Sequence, residues 1–176
     1  MINPPPFPVS ISELTESFLS DAVGEEVCEF KAERIGEDRG MLGEIFKLKI
    51  FFRDESRKPL ILVAKFAALR EETLAIAKRG HTHERELRSY AELLSSAPVN
   101  VPQFIGSWYD DETAEFVLLQ EMIVADTSVD QIAGLSEKQA RLVIAEMAKL
   151  HAYWWNNPKL ETISWLPRLD DQRRRT

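Results

Sequence analysis

Residues 45–66 read IFKLKIFFRDESRKPLILVAKF, and this stretch decides the fold. In its first part lysines alternate with large apolar residues, in the order Phe46, Lys47, Leu48, Lys49 and Ile50. Side chains of a strand point to opposite faces in turn, so a period of two predicts an antiparallel strand with one wet face. The polar turn at 54–59 leads into an apolar run of strand length at 60–66, which predicts a second strand beside the first.

Outward from this pair, similar patterns predict further strands at 26–35, 104–109 and 115–122. A short helix is expected from Ser12 to Ala22, another at 84–95 and a long one at 136–155 with Ser136 as its N-cap. Strands in runs with one inserted helix favour an α+β fold with a five-stranded antiparallel sheet. The predicted division is an N-terminal extension and short helix (1–22, with proline-rich residues 1–10 as a lead-in outside the core), a sheet domain (23–123), and a linker, long helix and tail (124–176).

Composition narrows the classes of partner. The 176 residues carry 29 acidic and 22 basic side chains, a net charge of −7. This balance argues against binding to nucleic acid or to an anionic membrane, both of which require a positive surface field. No apolar run approaches membrane-spanning length, and the single cysteine, Cys28, excludes an internal disulfide and is expected to be a small packing residue. A cytoplasmic location is the expectation.

Three features could carry chemistry, and each has an ordinary alternative. Gly36, Gly40 and Gly43 lie in a turn between two strands, where they could admit phosphate oxygens or simply form the turn. Lys65 lies in an apolar strand and needs either an exposed position or a fixed partner, because an unpaired buried ammonium is costly. Glu84 and Glu86 follow in the next helix, where a carboxylate could pair with Lys65 or merely suit a first turn.

The order of these features resembles the family of aminoglycoside, choline and ecdysteroid kinase-like phosphotransferases. The similarity extends over about residues 22–167 in seven blocks: Gly40–Phe46, Leu62–Lys65, Glu84–Tyr90, Val101–Phe104, Phe116–Glu121, Asp130–Gly134 and Ala148–Trp155. The resemblance implies a protein-kinase-like N-terminal lobe, followed by the first long helix of a C-terminal lobe.

The resemblance also implies a role for each matching residue. Lys65 is expected to contact the α- and β-phosphates of ATP, and Glu86 to be its ion-pair partner in preference to Glu84, since Tyr90 follows it by four residues. The turn with Gly36, Gly40 and Gly43 is expected to cover the phosphates. The backbone of Glu121, Met122 and Ile123 is expected to form the hinge that meets adenine, although the family often has an acidic residue where this chain has Met122.

The family's catalytic H-G-D-x-x-x-x-N loop finds no counterpart in the sequence. None of the three histidines precedes Gly-Asp: His81 and His83 are expected at the surface, and His151 is expected to pack in a helix. No catalytic residue and no metal ligand is therefore assigned. The expectation is the nucleotide-binding front part of an ATP-dependent small-molecule kinase, inactive alone, with Mg²⁺ bound and an alcohol acceptor phosphorylated only when a C-terminal lobe is supplied.

Two non-enzymatic readings stay open. One is a pseudokinase-like module that binds nucleotide or protein, and the other is an interaction domain. In the interaction domain, the helix that ends at Trp154 and Trp155 could mediate self-association, because adjacent tryptophans on a broad apolar surface favour burial.

Overall fold

The alternating residues 45–52 do form a strand, and it is the second in a five-stranded antiparallel sheet. The computed structural model describes residues 2–35, 43–68, 70–123 and 132–167. Neighbouring strands in the sheet follow the order β1-β2-β3-β5-β4. Their bounds are Val27–Ile35 (β1), Gly43–Phe52 (β2), Leu60–Ala67 (β3), Phe104–Tyr109 (β4) and Phe116–Glu121 (β5). The α+β class and the five antiparallel strands are confirmed.

The chain divides into two compact units. The first comprises Met1–Ser95 and Val101–Val124 and contains the sheet. The second comprises Ser96–Asn100 and Ala125–Thr176.

One face of the sheet packs against the N-terminal helix. Alternate side chains of β2, β3 and β5 point to this face and form a core with Leu14 and Leu19, and the sheet residues are Phe46, Leu48, Ile50, Phe52, Leu62, Ala64, Phe66, Val117 and Leu119. Burial of each large apolar side chain in this core contributes about 1.5–3 kcal/mol to the stability of the fold. The lysines of β2 point to the other face, as the alternation predicts.

The N-terminal segment departs from the prediction. Ser12 does not open the helix, because Ile11–Glu13 is a separate 3-10 turn. Helix α1 is Glu16–Val23, and the side chain of Thr15 caps it by accepting from Phe18 N–H at 3.2 Å.

The lead-in also contributes to the packing. Pro8 is buried, and Phe7 packs against the core. Asn3 forms a parallel bridge with Trp108 at the edge of β4. Its backbone N–H donates to the Ser107 carbonyl at 2.9 Å, so this segment is not outside the core as expected.

Between β3 and β4 the structure has two helices where one was expected. Helix α2 is Glu71–Gly80 and helix α3 is Thr82–Arg88, separated by His81 at a positive φ of 49°. The chain then continues through a π-helical turn at Ser89–Leu93 and a 3-10 turn at Leu94–Ser96. The helical stretch predicted at 84–95 thus begins two residues earlier and changes its hydrogen-bond pattern after Arg88.

The second unit contains the long helix α4, Glu137–Trp154. Ser136 caps it as predicted, and Gln139 completes a reciprocal capping box. A 3-10 turn at Pro158–Thr162 follows. In the described part of the chain, no helix has the length and apolar character that a membrane crossing requires.

Three residues lie in surroundings that differ from the prediction. Cys28 is exposed, because β1 is an edge strand, and its thiol donates to the Phe51 carbonyl at 3.6 Å. His83 is buried, with its ring 4.5 Å from that of Phe116 and Nδ1 2.9 Å from the Ala114 carbonyl oxygen. His151 is exposed on α4 and does not pack as expected.

Candidate functional site

Lys65 and Glu86 meet on the sheet face that lies opposite α1. The Nζ of Lys65 is 2.7 Å from each carboxylate oxygen of Glu86. The two side chains are 24% and 32% exposed, so the pair lies at the border between core and solvent. An ion pair this accessible contributes only about 0–1 kcal/mol to stability. The pair therefore fixes the position of an ammonium group more than it holds the fold together.

The sheet register and α3 together produce this contact. Lys65 is directly opposite Ile45 of β2 and Leu118 of β5. Leu87, the neighbour of Glu86, is fully buried and packs with Leu118 in a second core cluster. Burial of Leu87 fixes α3 on this face, and the side chain just before it, Glu86, reaches the lysine.

Glu84 has other partners. Its carboxylate accepts from Arg88 Nε at 2.8 Å and lies 3.3 Å from His81 Nδ1. The structure thus brings Glu86 to Lys65 and leaves Glu84 in contact with Arg88 and His81 of its own helical segment.

Tyr90 lies one helical turn beyond Glu86. Its pKa is raised above the ordinary value, mainly by burial and further by the negative charge of Glu86. The phenol therefore remains protonated at neutral pH and can donate or accept a hydrogen bond.

Gly43 makes room for the lysine side chain. A Cβ on Gly43 would lie 2.7 Å from the Phe66 carbonyl oxygen and 3.3 Å from Cε of Lys65. Only a residue without a side chain fits at this point without displacement. Gly36 and Gly40 lie outside the described residues.

The end of β5 carries the three residues expected to form a hinge. Glu121 N–H donates to the Gln103 carbonyl at 2.9 Å, and Met122 N–H donates to the Ile61 carbonyl at 3.4 Å. Gln103 N–H turns to the Glu121 carboxylate at 3.2 Å instead of to the Glu121 backbone carbonyl. Leu62 is directly opposite Glu121, so Lys65 lies three residues from this point, or about 10 Å along the strand.

The sheet face opposite α1, which carries Lys65, is called the site face. Two rows of side chains lie across it, since directly paired residues of antiparallel strands share a face. The first row is Ile45, Lys65, Leu118 and Ser107, and the second is Lys47, Val63, Gln120 and Phe104. Sequence reasoning missed Gln120 and Ser107, although the period of two in β5 places Gln120 on the face of Leu118. The apolar residues before Gln120 concealed that signal.

Comparison of the chain with known family models and with curated proteins found no match.

Proposed function

We propose that this chain binds ATP and is the N-terminal nucleotide-binding part of an ATP-dependent small-molecule O-phosphotransferase, one that phosphorylates an alcohol. The observation that carries the proposal is the position of Lys65 Nζ, held 2.7 Å from both Glu86 oxygens on the site face. A lysine fixed in this way by a helix carboxylate is a feature that kinases require.

The ammonium group has a donor left for a ligand. Lysine carries three N–H donors, and the two Glu86 oxygens engage two of them. In this proposal the remaining donor, and the positive charge, bind the α- and β-phosphate oxygens. Glu86 keeps the Lys65 side chain on the site face, and the nearby backbone of Gly43 limits the space in which that side chain can move.

The base is proposed to lie at the end of β5. The amides of Glu121 and Met122 are already bonded within the protein, whereas the Glu121 carbonyl does not receive the Gln103 amide. That carbonyl and the Ile123 amide are the backbone groups assigned here to the adenine edge. The interval of about 10 Å along β3 is of the order of a nucleoside with its first phosphates.

Transfer of the phosphoryl group lies outside this assignment. Among the described residues, no group of three or more His, Cys, Asp or Glu side chains is placed to hold a metal ion. No step is assigned to the metal. In the family that the sequence resembles, metal ligands and the catalytic aspartate belong to a second lobe.

The proposal is tested by calorimetric titration of the whole chain with ATP. Replacement of Lys65 by Met removes the charge and keeps much of the stem, and loss of a charged hydrogen bond is expected to weaken ATP binding about tenfold or more. The control is Lys58→Met, at an exposed lysine of the β2–β3 turn. Equal ATP affinity of the Lys65→Met and Lys58→Met chains contradicts the proposal.

A second candidate function has its own observation. Val143, Ile144 and Met147 lie on one side of α4 and are each at least 45% exposed, which is unusual for three large apolar residues of one helix. This surface favours a non-catalytic binding or interaction module that associates through the α4 helix. The two readings differ in what Lys65→Met changes, because an interaction through α4 does not depend on that lysine.

A further inference from the structure

Gln120 has a buried hydrogen-bond acceptor with no partner. Its Oε1 atom is almost completely covered, and no donor within the described residues reaches it. A buried carbonyl oxygen without a donor is unfavourable, and few such atoms occur in native proteins. An atom of this kind next to a candidate site therefore calls for an explanation.

The position of Gln120 connects it to the proposed nucleotide site. It is directly opposite Val63 of β3, two residues from Lys65 and on the same face. It also immediately precedes Glu121, whose backbone carbonyl does not receive the Gln103 amide. The corner of the site where β5 ends thus presents two acceptors, the Gln120 carboxamide oxygen and the Glu121 carbonyl.

A polar side chain on the neighbouring strand does not satisfy this oxygen. Ser107 lies on the same face of the adjacent strand, opposite Leu118, and its fully buried hydroxyl also has no partner in the described part of the chain. The serine hydroxyl could donate, yet the two groups do not bond to each other. The terminal torsion of a glutamine side chain is broad, so the carboxamide can turn at low cost to present its oxygen to a ligand.

We propose that Gln120 selects the base of the bound nucleotide, and that the site takes a purine with an exocyclic amino group at position 6. Such an amino group carries two N–H donors, which match the Gln120 oxygen and the Glu121 carbonyl. A 6-oxo purine presents an acceptor to the Glu121 carbonyl, which cannot donate, and is disfavoured there. This inference rests on the proposed ATP-binding function and specifies how the base is recognised.

The test compares ATP with purine riboside triphosphate, which has hydrogen in place of the amino group. Calorimetric affinities are measured for the whole wild-type chain and for Gln120→Met, which removes the carboxamide at similar length. ATP is expected to bind about tenfold more weakly to Gln120→Met, while the affinity for purine riboside triphosphate stays unchanged. The matched control is Gln103→Met, the same replacement at an exposed residue beside Glu121.

The outcomes separate this inference from the function on which it rests. If the variant loses the same factor for both ligands, or for neither, Gln120 does not read the amino group and the inference is overturned. ATP binding that depends on Lys65 would then still support the proposed function. A wild-type chain that binds neither ligand overturns both.

Discussion

At Gly43 the backbone of β2 passes so close to Lys65 that a single added carbon has consequences for the site. The expected Cβ position is 2.7 Å from the Phe66 carbonyl oxygen and 3.3 Å from Lys65 Cε. Gly43→Ala is therefore expected to push β2 and the lysine apart, to destabilise the fold by about 1–3 kcal/mol and to weaken ATP binding. Urea unfolding and calorimetry measure the two effects.

A matched replacement at the next residue controls for the change in β2. Glu44→Ala removes an ion pair with Arg34 at the protein surface but adds no atom near Lys65. It is expected to leave ATP affinity unchanged. Normal stability and normal ATP affinity in Gly43→Ala would show that the close approach does not position the lysine.

Tyr109 makes stability depend on pH in the alkaline range. Burial raises its pKa to about 12, with smaller effects from the charges of Glu84, Asp111 and Asp110. The folded state holds the proton more tightly than the unfolded chain, whose tyrosine pKa is about 10. This contribution is complete below about pH 10 and is lost as the pH rises through about 12.

Tyr109→Phe is expected to remove that loss. Between about pH 9 and about pH 11 the wild type should lose about 1 kcal/mol more unfolding free energy than the variant. Urea unfolding at the two pH values measures this difference, with the exposed Tyr153→Phe as control. Parallel pH profiles of the wild type and Tyr109→Phe would contradict the assignment.

Single residues also show where prediction from sequence succeeds. A fixed carboxylate partner was one of two alternatives that the sequence left for Lys65, since a buried ammonium needs a partner and the next helix offers Glu84 and Glu86. The preference for Glu86 came from the family resemblance. The burial of His83 could not be predicted, since it depends on contacts with Phe116 and Ala114, which are more than thirty positions away along the chain.

At the level of elements, the start of α1 differs between the sequence prediction and the structure. Ser12 and Thr15 are both good N-cap residues, and only Thr15 accepts a hydrogen bond from the first turn of the helix. Thr15→Ala is expected to cost about 1 kcal/mol of unfolding free energy, because it leaves the Phe18 amide without its acceptor. Ser12→Ala is the control, and an equal or larger loss in Ser12→Ala would contradict this assignment of the cap.

Strands were predictable to within about two residues at their ends, because an alternating pattern in β2 and an apolar run of strand length in β3, each bounded by turn residues, are read directly from the sequence. The ends of helical segments were less predictable where side chains form hydrogen bonds with the nearby backbone. At the start of the π-helical turn Ser89–Leu93, the Ser89 hydroxyl donates a hydrogen bond to the Arg85 carbonyl at 2.6 Å. The hydrophobic periodicity of the sequence does not predict this bond.

For the whole molecule, the exposed apolar surface of α4 predicts self-association. Ile144 and Met147 lie on the same side of this helix and are 64% and 50% exposed. Sedimentation equilibrium is expected to show that the average molecular mass rises with protein concentration. Met147→Glu is expected to suppress this association, because it places a charge in the contact between two α4 helices. Ala145→Glu adds the same charge away from that side of the helix and is expected to have no effect.

A wild-type chain that stays monomeric at all concentrations would contradict this prediction. Suppression of association by Ala145→Glu to the same degree as by Met147→Glu would instead assign the effect to net charge.

The central claim is that Lys65, held by Glu86, contacts nucleotide phosphates. The most direct measurement is NMR of the whole chain with ¹³Cε-labelled lysine during titration with ATP, with the Lys65 signal assigned from Lys65→Arg. This signal is expected to shift with ATP until the site is saturated, and the Lys58 signal is expected not to respond. A Lys65 signal that stays unchanged while ATP binds, or the absence of any ATP response, would contradict it.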